Sequence, residues 1–127
     1  MDAKELVNTI PLRKSVRSIS GTPLSESILD DIRSFADQVK PLFPEIKAEM
    51  RILSSEGVKG IASVFAPHYM AIYAERSPEA DLNCGFMLQQ VDLYLSSKGL
   101  ASCWLGMTKP AEREYNGLPF VILIAFG

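Results

Sequence analysis

The order of hydrophobic patterns along the chain predicts an α+β domain. Two strand-like segments precede the longest helical segment and two follow it, an arrangement that favours neighbouring strands over a strictly alternating parallel sheet. The chain has 127 residues, 47% of them hydrophobic and 22% charged, enough length and apolar content for one domain with its own core. No internal repeat or linker divides it, so residues 1–127 are read as a single domain.

Asp2 with Glu5 resembles a capping box, and Leu6, Val7 and Ile10 give the first short helix an apolar face that Pro11 ends. Leu12 to Ser20 is read as extended, with Leu12, Val16 and Ile19 pointing inward between polar residues. Gly21-Thr22-Pro23 is a turn. Ser25 then caps a second helix whose apolar face is Ile28, Ile32, Phe35, Ala36 and Val39, ended by Pro41 and Pro44. Glu49 to Ser55 is a short strand around Met50, Ile52 and Leu53, and Glu56 to Ala66, with Gly57 and Gly60, is a loop. His68 to Glu75 is apolar at both parities, the pattern of a strand buried on both faces.

Ser77 as N-cap and Pro78 in the first turn open the longest helix, which runs to about Lys98 and closes at Gly99. Its stripe of Cys84, Met87, Leu88, Val91 and Leu95 is joined by Leu82, Phe86 and Leu93 on other sides. A helix apolar on most sides lies at the centre of its domain or at a subunit contact. Leu100 to Met107 is a strand with an unusual interior, Ser102-Cys103-Trp104. Lys109 to Gly117 is irregular or briefly helical, and Leu118 to Phe126 is a second buried strand.

Composition excludes several classes. Thirteen Lys and Arg against fifteen Asp and Glu give a net charge of −2, without the basic excess of a dedicated nucleic-acid binder. The longest apolar run, Phe120 to Phe126, is too short for a bilayer, and Met1 to Glu5 lacks the apolar stretch of a signal peptide. Cys84 and Cys103 are spaced as neither a disulfide framework nor a zinc site, so a cytoplasmic protein is expected. The single histidine, His68, is read as an ordinary residue at a strand entrance, and no metal site is expected. The sequence contains neither a GxGxxG fingerprint nor a Walker loop.

Two stretches stand out as candidate chemistry. Arg13-Lys14-Ser15-Val16-Arg17 is the densest positive charge in the chain. If extended, it puts Arg13, Ser15 and Arg17 on one side and Val16 on the other. Guanidinium forks and a hydroxyl in a row suit an elongated anion; the competing reading is a solvated charge run at a helix exit. The second stretch, Gly99 to Met107, holds the only tryptophan. Gly106, just past Trp104, lets a flat ligand approach the backbone; the competing reading is a core tryptophan with turn glycines. Cys103 is read as a small core residue rather than a nucleophile.

Together these stretches resemble the FMN-dependent nitroreductase family. A first helix followed by Pro11-Leu12-Arg13-Lys14-Ser15-Val16-Arg17, then Thr22-Pro23-Leu24 and a helix, is similar to that family's opening, where an Arg-(Arg/His/Lys)-Ser-x-(Arg/Lys) run follows the first helix. Asn83 to Gln90, leading into Gly99-Leu100-Ala101-Ser102-Cys103-Trp104-Leu105-Gly106, resembles its long helix and Gly-Leu-Gly-x-x-Trp-Ile-Gly strand. Leu118 to Gly127 resembles its last core strand. The likeness spans nearly the whole chain and is nearest to the compact branch typified by nitroreductases of thermophiles.

The resemblance implies a mixed, mainly antiparallel four-stranded sheet flanked by helices, and a homodimer with FMN at the subunit interface. Arg13 and Ser15 would meet the FMN phosphate or ribityl chain, Lys14 would lie along the ribityl chain, and Arg17 would approach the pyrimidine edge. Trp104 and the backbone of Leu105, Gly106 and Met107 would flank the ring near N5 and O4. Hydride would pass from NAD(P)H to the flavin and on to a nitroaromatic, quinone or similar acceptor in a ping-pong cycle, with no side-chain acid or base. The loop at Glu56 to Ala66 would vary with substrate, Lys59 or Gly60 lying near the flavin. The family commonly continues past the strand that ends here at Gly127, so the chain is expected to lack that C-terminal extension. Two alternatives stay open: a non-catalytic scaffold of the same type that holds FMN or only dimerises, and a flavin-transfer or flavin-reducing protein for which FMN is a substrate.

Overall fold

The computed structural model describes residues 1–60 and 64–127, so residues 61–63 of the loop expected at Glu56 to Ala66 lie outside the described residues. In chain order the elements are α1 (Ala3–Thr9), α2 (Glu26–Asp37), β1 (Ala48–Ser54), β2 (Val58–Gly60), β3 (His68–Ala74), α3 (Ala80–Ser97), β4 (Ser102–Leu105), β5 (Thr108–Pro110), β6 (Glu114–Tyr115) and β7 (Leu118–Phe126).

The two segments that are apolar at both parities form the middle of the sheet. Its order is β1-β3-β7-β4, with β6 also paired to β7 and a separate ribbon of β2 and β5. All pairings between described strands are antiparallel, the limiting case of a mainly antiparallel sheet. Every residue of β3 is buried, because successive side chains enter two different cores. Met70, Ile72 and Ala74 face α2 and α3, meeting Ile32, Leu88, Val91 and Leu95. Tyr69, Ala71 and Tyr73 face the other way, toward Leu53, Val64, Leu105 and Leu118. A side chain buried as fully as Leu88 contributes roughly 2 kcal/mol of hydrophobic stabilisation.

The helix ends follow local chemistry. The Asp2 carboxylate accepts from the Glu5 amide at 2.9 Å, and the Ser25 hydroxyl accepts from the Ile28 amide at 3.3 Å, capping α1 and α2 as expected. At the far end of α3, Gly99 takes φ +74°. The amides of Leu100 and Gly99 return to the carbonyls of Leu95 and Ser96 at 3.0 and 3.1 Å, a Schellman closure.

Four local expectations are corrected. Ile28 is exposed and Leu29 takes its place on the buried face of α2, since the face follows Leu29, Ile32 and Ala36. Leu12 is 74% exposed rather than inward, because a 3-10 turn at Ile10–Leu12 rotates it outward before the chain extends. Ser77 does not cap α3: the helix starts at Ala80 after Glu79, and the Ser77 hydroxyl is buried without a hydrogen-bond partner among the described residues. Lys109 to Gly117 is not simply irregular. It carries β5 and β6, and Asn116-Gly117 forms a two-residue turn with φ +51° and +79° that returns the chain from β6 to β7.

Candidate functional site

The basic segment leaves the 3-10 turn in an extended conformation, Arg13 having φ −70° and ψ 136°. The Val16 amide then donates to the Ser102 carbonyl at 2.9 Å, so the segment is tied to β4, whose opposite edge pairs with β7. Val16 is half-buried, whereas Lys14, Ser15 and Arg17 are exposed. Val16 is the anchor, but strict alternation is not kept: Lys14, at the same parity as Val16, is exposed, and Arg13 turns inward to Asp92 while Ser15 and Arg17 stay at the surface.

The two candidate stretches meet at a residue the sequence reading did not single out. Asp92 of α3 is fully buried. Its Oδ2 accepts from Arg13 Nε, from Trp104 Nε1 at 3.3 Å and from Gln89 Nε2 at 3.4 Å, and its Oδ1 accepts from the Ser102 hydroxyl. A buried carboxylate is costly unless its lone pairs are satisfied and its charge is paired; here donors from three parts of the chain converge on it. The Arg13 side chain stays 20% exposed, with Nη1 donating to the Ser15 hydroxyl at 3.4 Å. Asp92 holds the guanidinium by Nε, and Nη1 turns to the Ser15 hydroxyl of the exposed row. The only sequence hint to this junction was an aspartate between Val91 and Leu93 in an apolar helix.

At the end of β4, Leu105 is buried while Gly106 and Met107 are exposed. A Cβ built on Gly106 would meet nothing within 4 Å, so packing within the chain does not demand glycine there. Gly60 differs: its φ is +112° and a Cβ would sit 2.7 Å from the Met107 carbonyl oxygen. The β2–β5 ribbon thus backs the Leu105–Met107 turn, with Lys59 opposite Lys109 and Gly60 opposite Thr108. A cleft of about 420 Å³ opens beside it, lined by Lys59, Met107, Lys109 and Arg113, and another of about 310 Å³ by Arg76, Gly106 and Arg113. A larger cleft, of about 880 Å³, lies between α2, β1 and the Asn116-Gly117 turn. None of the candidate cofactor-binding residues lines it, so size alone does not mark the site.

The structure therefore brings Arg13, Ser15 and Trp104 together, with Leu105 following Trp104 on β4 and Gly106 and Met107 in the turn just after it. The side chains of Lys14 and Arg17 make no hydrogen bond or ion pair among the described residues. Such a surface offers cationic forks and a hydroxyl at one end and exposed backbone at the other, the donor set for an anionic tail and a flat ring. Among the described residues, no group of His, Cys, Asp and Glu could hold a metal ion. His68 accepts from the Leu24 amide through Nε2 at 2.9 Å. Burial pushes the Cys84 thiol up to about 11, with Asp81 adding to the effect, and Cys103 is buried as well. Among the described residues, no helix is long and apolar enough to cross a membrane.

Comparison with known proteins follows the same residues. A family model described as "Putative TM nitroreductase" matches residues 5–127. Among curated proteins no sequence matches. Among solved structures, a nitroreductase with bound FMN from Desulfitobacterium hafniense DCB-2 superposes with a TM-score of 0.74 at 15% identity, covering 100% of this chain and 89% of that one. A nitroreductase family protein from Clostridium novyi NT gives 0.73 at 14% identity, covering 100% and 84%. A "putative nitroreductase" from Thermotoga maritima MSB8 gives 0.61 at 25% identity, covering 96% of this chain but 47% of that one.

Proposed function

The chain belongs to the family described as "Putative TM nitroreductase", and on that premise we propose that it is an FMN-dependent oxidoreductase. When bound, FMN would supply the redox chemistry for hydride transfer from NAD(P)H to a nitroaromatic, quinone or similar acceptor in a ping-pong cycle. Residues of this chain bind and orient it. The terminal nitrogens of Arg13 and the Ser15 hydroxyl hold the phosphate or the ribityl chain, and Lys14 lies along the latter. Arg17 brings positive charge to the pyrimidine edge, where negative charge accumulates on reduction. Trp104 shapes the ring end, and the open backbone of Leu105, Gly106 and Met107 offers hydrogen bonds at N5 and O4.

The single observation that carries this reading is the Asp92 junction, which ties Arg13 of the basic row to Trp104 of the Trp–Gly strand. Gly106 adds support, since the space where its Cβ would stand is free of protein atoms. The functional unit is a homodimer: α1 packs on α3, and Val7 on α1, Ile10 just after it, and Leu82 and Phe86 on α3 are exposed apolar residues.

The test is the visible absorbance of the purified protein. It is expected to be yellow or to become so on adding FMN, and NADH or NADPH should bleach the bound flavin under anaerobic conditions. A colourless protein that ignores added FMN overturns the proposal. Arg13→Ala should raise the FMN dissociation constant by on the order of tenfold or more, as loss of a charge-assisted contact to phosphate does; unchanged affinity would remove Arg13 from the phosphate.

A further inference from the structure

We infer that Asp92 is a positioning residue for the flavin: a single buried carboxylate sets where the phosphate-holding and ring-holding ends of the site stand relative to each other. The inference rests on the flavin reading above and adds to it a residue that would not itself touch the ligand. Arg13 arrives from the segment after α1, and Ser102 and Trp104 from β4. These parts of the chain share no helix or strand, and the Arg13–Asp92 pair spans 79 positions of sequence. All three side chains end on Asp92.

The division of donors argues for positioning rather than bulk stability. Oδ1 takes the Ser102 hydroxyl, which orients the carboxylate on β4, while Oδ2 takes Arg13 Nε and the indole N–H. Holding Arg13 by Nε fixes the plane of its fork and keeps the terminal nitrogens off the carboxylate, with Nη1 beside the Ser15 hydroxyl at 3.4 Å, so that fork and hydroxyl can meet an anion together. A buried ion pair contributes little net stability, since well-packed apolar residues do as well. What an apolar trio could not supply is a fixed guanidinium plane beside a fixed indole. The Ser102 carbonyl, next to the hydroxyl that orients Asp92, also receives the Val16 amide, so the row carrying Ser15 and Arg17 keeps the same register.

The test uses the full chain and Asp92→Asn, which keeps the volume and removes the charge. Flavin fluorescence quenching should show the FMN dissociation constant raised on the order of tenfold, the size expected when a supporting residue behind a binding group is lost. If Asp92 acts through Arg13, the double variant Arg13→Ala/Asp92→Asn should bind FMN no more weakly than Arg13→Ala alone, within about twofold. Trp104 is the only tryptophan, so its emission in the flavin-free protein should shift in Asp92→Asn as the indole's acceptor changes from a charged carboxylate to a neutral amide. Should Asp92→Asn fail to fold, Ser102→Ala carries the same test, freeing Oδ1 and raising the dissociation constant severalfold. Wild-type affinity in a folded Asp92→Asn or Ser102→Ala, or losses that multiply in the double variant, overturns the positioning role alone. A wild-type protein that binds no FMN overturns the flavin reading first, and the positioning role with it.

Discussion

His68 accepts a hydrogen bond from the Leu24 amide, which requires a neutral ring with its proton on Nδ1. Burial pulls its pKa below the ordinary 6.5, with Glu26 opposing and Arg33 reinforcing the shift. Below about 6.5 the unfolded chain takes up a proton that the native ring resists, so this residue's contribution falls as pH drops through that value and levels off below the folded pKa. The melting temperature should therefore decline between about pH 7.5 and 5.5, and less so in His68→Gln, whose amide oxygen can still accept from Leu24 but does not titrate. An equal decline in both proteins would assign the acid sensitivity to other groups. Gly60 makes a second residue-scale case. Its φ of +112° and the 2.7 Å approach of a Cβ to the Met107 carbonyl mean that Gly60→Ala should cost about 2 kcal/mol in urea denaturation. The variant should also disturb the Leu105–Met107 turn, since the obstructing atom is backbone and cannot swing away.

At the scale of elements, α3 does two jobs with polar residues set in an apolar helix. Asn83 is fully buried, and its Oδ1 accepts from the Leu42 and Phe43 amides at 2.9 and 2.8 Å, fastening the loop after α2. Asn83→Ala strands two amides and should cost about 2 kcal/mol in chemical denaturation, whereas a loop that simply rehydrates would lose far less. Helix α3 and strands β3 and β7 were legible in the sequence because their apolar patterns are long: a stripe at helical spacing from Cys84 to Leu95, and unbroken apolar runs in the two strands. The β2–β5 ribbon and β6 were not, since pairs of two or three residues carry no period and form only where the tertiary fold brings them together. Asn116-Gly117 is a strong hairpin signal in itself, but Glu114-Tyr115 before it shows no alternation to mark a strand. The candidate site divides in the same way. The basic row and the Trp–Gly strand were visible as residue types, whereas their junction depends on Asp92, whose partners are distant in sequence. An aspartate flanked by Val91 and Leu93 is a hint that something must neutralise it, but not of what.

For the whole molecule the open question is what covers the outer side of α3. Cys84, Leu88, Val91 and Leu95 already face the sheet, yet Leu82 is 60% and Phe86 44% exposed. These two lie one helical turn apart and so share a face, and α1 alongside adds exposed Val7 and Ile10. A second copy of the chain would bury this surface through the same patch on both subunits, as a twofold interface requires. Sedimentation at micromolar concentration should therefore show a dimer, and Leu82→Glu/Phe86→Glu should shift it to monomer. Because both positions are exposed, their replacement should change the stability of the single chain by less than about 1 kcal/mol. If FMN lies between subunits, the monomeric variant should lose flavin affinity, and wild-type binding should weaken on dilution below the dimer dissociation constant by mass action. A monomer that keeps full affinity would confine the flavin to one chain, while a wild-type monomer at all concentrations would leave this apolar face to a different partner.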